Sequence, residues 1–170
     1  MNANSFGFLP PAKTLDYWNK NGLKPIIDSE ISMLEDRFNS KVPKSYSEFL
    51  KVFGGVEFGF EVANQFSYTY NDTGNTKCHY QVVGHIKTPE RVLRYYNGLA
   101  DDNDLEFPRH LLPFAMDLSQ GELFIEFGKP TERIFYWNFD KHDWTNPQMR
   151  LGFVADNMYD FINNLELGKI

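Results

Sequence analysis

Residues 27–63 read IDSEISMLEDRFNSKVPKSYSEFLKVFGGVEFGFEVA, and the spacing of their apolar residues changes from a helical period to a strand period. The first part carries one apolar stripe, which predicts an amphipathic helix that starts at Asp28 or Ser29. A second helix follows the break at Lys41-Val42-Pro43 and stops at Gly54-Gly55. The pattern therefore predicts two packed helices joined by a short proline turn. Their apolar positions are Ile27, Ile31, Leu34 and Phe38 in the first helix and Tyr46, Phe49, Leu50 and Phe53 in the second.

Beyond Gly55 the apolar residues alternate with polar or small ones, as in a half-buried strand. Val56, Phe58 and Phe60 are predicted to face the core, and Val62 continues the alternation. The remaining predicted lining of this core consists of Phe49, Phe53, Phe114 and Phe161.

Working outward, the chain alternates between helical and strand signals. A short helix is predicted from about Thr14 to Asn21, and Thr88-Pro89-Glu90 starts another helix. The predicted strands surround a turn at residues 71–74 and then cover Leu112–Ala115, Leu123–Phe127 and Ile134–Phe139. A closing helix is predicted from its apolar stripe, which consists of Val154, Met158, Phe161, Ile162 and Leu165.

This order predicts one α+β domain with a mostly antiparallel sheet flanked by helices. Its core would span residues 28–167, with residues 1–27 as an N-terminal extension packed on it. A chain of 170 residues with 42% hydrophobic and 24% charged residues has ordinary globular composition, which excludes intrinsic disorder. Aromatic residues make up 16% of the chain, so we expect a core rich in rings.

Charge narrows the classes of partner. The formal net charge is −6, and residues 86–170 carry 9 basic against 14 acidic side chains. No basic cluster is present, which argues against nucleic acid and an anionic membrane as partners and favours a cationic one. The single cysteine, Cys78, is expected to be partly buried, and a reducing, cytoplasmic location suits the chain. No stretch is apolar enough for a transmembrane helix.

The sequence offers no motif for catalysis, a cofactor or a metal, and we predict none of the three. Glu122 and Glu126 are interpreted as carboxylates of a solvated sheet edge. The acidic run from Asp101 to Glu106 resembles a calcium loop superficially, but it lacks the required Gly and Glu. It is therefore interpreted as a solvated loop or as a contact surface. Exposed rings, Trp18 or Trp144 above all, would be needed for a sugar-binding role.

Two blocks of residues resemble the SUKH superfamily, which is typified by the Smi/Knr-type fungal cell-wall regulators. The first block contains Glu35, Val42-Pro43, Tyr46, Phe49-Leu50 and Gly54-Gly55. The second contains Leu112-Pro113-Phe114-Ala115, Asp117, Gly121, Tyr136, Asp140, Val154-Ala155, Asn157, Tyr159 and Phe161-Ile162. We expect these residues to be scaffold, with Asp117 and Asp140 accepting hydrogen bonds from backbone donors at turns.

The resemblance implies a protein-binding function without catalysis. Many bacterial members of the superfamily are immunity proteins that neutralise toxins, and fungal relatives are regulatory interaction proteins. A basic toxin domain is the expected partner, because toxin partners are often basic nucleases. A regulatory, scaffold or glycan-recognition module linked to cell-wall synthesis is the alternative.

The predicted contact surface combines rings with carboxylates in the more acidic half of the chain. Aromatic residues anchor interfaces, and acidic groups around them accelerate association with a cationic partner. The residues are Tyr95, Tyr96, Asp101, Asp102, Asp104 and Glu106.

Overall fold

The computed structural model describes residues 6–72, 75–101, 108–137 and 151–168. Across these residues the chain forms one α+β domain with five helices and an antiparallel sheet of eight strands, which confirms the predicted fold class. The helices are α1 Ala12–Asn21, α2 Asp28–Phe38, α3 Lys44–Phe53, α4 Pro89–Asp101 and α5 Met158–Asn163. No helix in the described part of the chain has the length and apolar character to cross a membrane.

The strands are β1 Val56–Glu57, β2 Ala63–Asp72, β3 Asn75–Ile86, β4 Leu111–Asp117, β5 Glu122–Glu126, β6 Ile134–Trp137, β7 Gly152–Ala155 and β8 Glu166–Leu167. Every pairing is antiparallel, and β3, β4, β5, β6 and β7 are neighbours in chain order. The long β3 pairs β2 over Asn75–Val82 and β4 over Val83–Ile86. Because β7 also pairs β2, at Phe153 and Thr69, the strands from β2 to β7 form a closed circuit.

Two carboxylates, Glu35 of α2 and Glu132 of the β5–β6 connection, hold the α2–α3 pair in place. Glu35 accepts a hydrogen bond from the Val42 backbone N–H and forms an ion pair with Lys41. These two contacts fix the turn before Pro43. The Glu132 carboxylate accepts from the backbone N–H groups of Lys44 and Ser45 at the start of α3. A negative charge there satisfies free donors and opposes the positive end of the helix dipole.

Glycine is required where α3 ends. Gly54 has a φ of 77°, in the left-handed region, and a Cβ at this position would overlap the Lys24 carbonyl. Its backbone N–H donates to the Leu50 carbonyl at 2.9 Å, so the helix ends in a hydrogen-bonded turn.

The predicted strand from Val56 to Val62 is wrong beyond Glu57. Residues 60–62 form a turn, and the Asn64 side chain donates to the Gly59 carbonyl across it at 3.1 Å. The turn breaks the alternation, so Phe60 points outward with 82% of its surface exposed, whereas Val56 and Phe58 are buried as predicted.

The predicted closing helix is also shorter than its apolar stripe. Val154 belongs to strand β7, and α5 covers only Met158–Asn163. Asn157 is the cause, because its side chain accepts from the Asp160 backbone N–H at 2.9 Å and caps the helix there. The apolar spacing that begins at Val154 predicts one helix, but in the structure it is divided between strand β7 and the short helix α5.

The core consists largely of rings, as the composition predicts. Phe161 packs against Phe66 and Phe114 at centroid distances of 5.9 and 5.7 Å, which ties α5 to the sheet. From the N-terminal extension, Phe8 is fully buried and packs edge-on against Phe49 and Phe53 of α3. The predicted core residues Phe49, Phe53, Phe114 and Phe161 are all buried.

Candidate functional site

The two motif blocks of the sequence meet at Lys87, the residue that directly follows β3. The Tyr46 hydroxyl of α3 donates to the Lys87 carbonyl at 3.0 Å. The Lys87 backbone N–H donates to the Phe114 carbonyl of β4 at 2.8 Å. Lys87 is completely buried, so these contacts fix where its long side chain can go.

The Lys87 ammonium ends in a buried ion pair. Nζ donates to Oε2 of Glu122 at 2.5 Å and to the Ala115 carbonyl at 3.1 Å, and it lies 4.5 Å from the centre of the Tyr95 ring. Burial lowers the pKa of Lys87, against the opposing effect of Glu122. Burial also raises the pKa of Glu122 to about 7, although Lys87 counteracts the shift.

Glu122 of this ion pair lines a cleft of about 630 Å³ between α4 and the β4–β5 hairpin, which we call the α4 cleft. Its walls combine apolar surface with few polar groups. Among the described residues of the lining, Glu122 is the only buried one, and Gly98 leaves open space on the helix side. The lining residues are Arg94, Tyr95, Gly98, Leu99, Met116, Gln120 and Glu122.

The hairpin beside the α4 cleft is held by Asp117. Its Oδ1 accepts from the backbone N–H groups of Ser119 and Gly121, at 2.7 and 2.6 Å. Its Oδ2 accepts from the Tyr136 hydroxyl at 2.5 Å, and a Cβ on Gly121 would overlap that hydroxyl. Asp117 therefore satisfies turn donors as the sequence predicts, whereas Asp140 lies outside the described residues.

The interpretation of Glu122 and Glu126 as solvated carboxylates is wrong, since both are only 2% exposed. Strand β5 is central in the sheet and buried on both faces, so its polar positions are covered as well. Glu126 is held by two hydrogen bonds from Arg133 and one from Thr131, with Lys129 nearby. These contacts are internal to the β5–β6 connection and indicate a structural role.

The sequence analysis missed Lys87 altogether. A lysine directly before a helix start is an ordinary solvated residue by pattern, and periodicity gives no signal that its side chain is buried. The pairings of β3 with β4 and of β4 with β5 bring Lys87 to Glu122.

The residues of the predicted contact surface have different environments. Tyr95 is half-buried in the wall of the α4 cleft, and Asp101 is exposed at the end of α4. Tyr96 points the other way, because its ring packs against Phe38 at 4.6 Å and its hydroxyl donates to the Arg109 carbonyl. Tyr96 therefore belongs to the core in this structure, and its role at an interface stays a prediction. Asp102, Asp104 and Glu106 lie outside the described residues.

Cys78 and Trp18 differ in exposure from what the sequence predicts. Cys78 is exposed rather than partly buried, because it lies on β3 opposite Thr69, close to the end of the hairpin. Trp18 is buried, with its indole N–H donating to the Glu57 carbonyl at 3.1 Å, so it offers no ring to a sugar. Trp144 is outside the described residues. Within the ranges that are described, no group of three His, Cys, Asp or Glu side chains has the arrangement of metal ligands.

Comparison with protein families agrees with the motif analysis. Residues 25–164 match the SMI1 / KNR4 family (SUKH-1). The match covers most of the chain and includes α2, α3 and every residue that builds the α4 cleft. The protein therefore belongs to the SMI1 / KNR4 family. A search of curated proteins finds no match.

Family membership and the geometry of the α4 cleft are both consistent with a role in binding another protein. Domains of this family are associated with protein–protein interaction and are generally not catalytic. An open cleft with apolar walls and one buried carboxylate can receive a side chain of another molecule.

Proposed function

We propose that the protein is a bacterial immunity protein that neutralises a cognate toxin by forming a stoichiometric complex with it in the cytoplasm. The observation that carries the proposal is membership of the SMI1 / KNR4 family over residues 25–164. The net charge of −6 supports a cationic partner, since complementary charge accelerates association.

The proposed contact face includes the α4 cleft and the acidic end of α4. Tyr95 provides a ring at the cleft, and Asp101 lies exposed where the helix ends. Asp102, Asp104 and Glu106 follow directly in the sequence and extend the run of negative charge. This combination suits a basic toxin domain that carries an aromatic anchor.

We propose that neutralisation needs no catalysis by this chain. A carboxyl group with a pKa near 7 is a feature that active sites share, and Glu122 has one. Its partner, however, is an ammonium group held in place by a backbone carbonyl and an aromatic ring. The described residues that line the cleft include no Ser, Thr, Cys or His as a nucleophile. Blocking a toxin by occupying its surface requires only binding.

The experiment starts from the neighbouring open reading frame, which we expect to encode a secreted protein with a toxin domain. That toxin domain is expressed in cells with and without this protein, and the two purified proteins are mixed for size-exclusion chromatography and calorimetry. We expect survival only when both are expressed, and a complex of fixed stoichiometry. Cells that survive without direct binding, or a toxin that is destroyed rather than bound, would contradict the proposal.

A regulatory or scaffold module of cell-wall synthesis is the alternative within the same family. It predicts that deletion of the gene alters cell-wall composition in the absence of any toxin. Trp18 cannot serve the glycan-recognition alternative, because its ring is buried. A glycan array with the purified protein tests whether other residues bind a glycan.

A further inference from the structure

Glu122 has one carboxylate oxygen in use and one free. Oε2 accepts from Lys87, whereas no donor among the described residues lies within hydrogen-bonding distance of Oε1. Glu122 is only 2% exposed, yet it lines the α4 cleft. Oε1 does not belong to the buried side-chain atoms that lack a partner, so it opens to the cleft, where a donor from another molecule can bond to it.

Gly98 lines the same cleft and keeps it open on the helix side. It lies inside the 13-residue helix α4, where glycine is less stable than alanine. Its φ is not in the left-handed region, and a Cβ added there would meet nothing within 4 Å. Neither the backbone nor the packing requires glycine here, so its effect is the open space that it leaves on the cleft side of the helix.

The walls of the cleft define the chemistry of what fits. Tyr95, Leu99 and Met116 offer apolar surface to a flat ring. Lys87 already compensates the charge of Glu122, and Arg94 adds a positive charge to the lining. A cationic group would therefore find no uncompensated carboxylate, whereas a neutral donor can still bond to Oε1.

We propose that the α4 cleft receives an aromatic side chain of the protein partner that carries a neutral hydrogen-bond donor, a Tyr hydroxyl or a Trp indole N–H, and that Oε1 of Glu122 accepts its hydrogen bond. This inference rests on the proposed function, because the side chain belongs to the toxin. The ring supplies buried apolar area, and the donor satisfies the carboxylate. Tyr and Trp are also the side chains that most often anchor interfaces.

Small probes test the chemistry of the cleft without the toxin. Phenol, anisole and benzylamine are titrated into the full chain, and backbone amide shifts of Gly98, Leu99 and Gln120 are followed by NMR. Phenol and anisole share the ring, but only phenol donates a hydrogen bond. We expect saturable shifts at these residues and about tenfold tighter binding of phenol than of anisole. Equal binding of the two, tighter binding of benzylamine, or no shifts would overturn the inference.

Two substitutions at Gly98 link the cleft to the partner. Gly98→Phe fills the open space, and Gly98→Ala is the matched control that leaves most of it. Because both remove a helix-weakening glycine where a Cβ has room, we expect both variants to fold. Gly98→Phe should abolish the phenol shifts and weaken toxin binding at least tenfold, whereas Gly98→Ala should preserve both.

The outcomes separate the two proposals. If Gly98→Phe binds the toxin domain as tightly as the wild type, the inference about the cleft is wrong and the proposed function stands. If the wild type forms no toxin complex, the proposed function is wrong, and the phenol titration still decides which group the cleft accepts.

Discussion

At the scale of single residues, the buried pair of Lys87 and Glu122 makes stability depend on pH. Burial disfavours both charged forms, and their hydrogen bond at 2.5 Å offsets part of that penalty. The pKa of Glu122 rises from 4.5 to about 7 in the folded protein. The stability that protonated Glu122 contributes is therefore complete below about pH 4.5 and is lost as the pH rises through about 7.

The Lys87→Met variant removes the group that limits this shift. The pKa of Glu122 should rise further, so the loss of stability should extend to higher pH. We expect the free energy of unfolding to be about 3–5 kcal/mol below that of the wild type at pH 8, and the difference to be much smaller at pH 5. Urea unfolding of both proteins at several pH values measures this.

The double variant Lys87→Met/Glu122→Gln is the control for the titration. It contains no ionisable group at this position, so its stability should differ from that of the wild type without the steep loss above pH 7. A Lys87→Met variant whose deficit is the same at pH 5 and pH 8 would show that Glu122 does not titrate in this range.

At the scale of elements, α5 shows how a very short helix is held in place. Six residues are too few for a helix to be stable by itself, so α5 depends on its cap and its packing. Asn157 supplies the cap, and Phe161 inserts between Phe66 and Phe114. The helix is thus defined by the sheet that it covers.

Phe161→Ala should lower the free energy of unfolding by about 3–5 kcal/mol, because it leaves a cavity between two other rings. That is a large share of the roughly 5–15 kcal/mol that stabilises a domain. Phe60→Ala is the matched control, since Phe60 is 82% exposed and its loss should change stability by less than about 0.5 kcal/mol. Chemical denaturation measures the loss of stability in both variants. Equal losses would contradict the burial of Phe161 or the exposure of Phe60.

Glu132 links two elements, since it lies in the β5–β6 connection and accepts hydrogen bonds from the start of α3. Glu132→Ala removes the acceptor of two backbone N–H groups and a favourable charge at the helix start. We expect a loss of about 1–2 kcal/mol in thermal or urea unfolding. Glu61→Ala removes an exposed carboxylate in the turn before β2 and should have almost no effect. A similar loss in both variants would exclude a specific role of Glu132.

At the scale of the whole molecule, the closed circuit of strands brings parts of the chain together that are far apart in sequence. The cleft wall from α4 and the hairpin of β4 and β5 meet because β3 pairs β4. Negative charge is concentrated in residues 86–170, which also contain every residue of the α4 cleft. The negative charge that would attract a cationic partner and the proposed anchor site therefore lie in the same half of the chain.

Replacing Asp101, Asp102 and Asp104 with Lys tests the contribution of this charge. We expect folding to be preserved, since Asp101 is exposed and a solvated charge contributes little to stability. Association with the basic toxin domain should slow, most strongly at low salt, where screening is weakest. Stopped-flow kinetics at two ionic strengths measure the effect.

The matched control replaces Asp16, Asp36 and Glu61, which are exposed and lie in the other half of the chain, with Lys. It changes the net charge equally but should slow association less. Equal slowing by both triple variants would mean that only net charge matters, and unchanged rates at low salt would place the interface elsewhere.

The sequence alone determined the parts of this protein that depend on local patterns. The helices α1 to α4, the β4–β5 pair and the Asp117 turn follow from apolar spacing, proline and glycine positions and short polar side chains. The same patterns identify the family, since its motifs are such local features. Phe60 and Val154 were misplaced because a turn and a strand happened to continue the expected spacing.

Only the tertiary structure decided the candidate site. Burial of Lys87, Glu122 and Glu126 depends on which strands pair and on what covers the sheet, and residue type by itself predicts the opposite. The same holds for Tyr95 and Tyr96, which are adjacent in the sequence but face the cleft and the core respectively. Burial of charge is a property of three-dimensional neighbours, so no period along the chain encodes it.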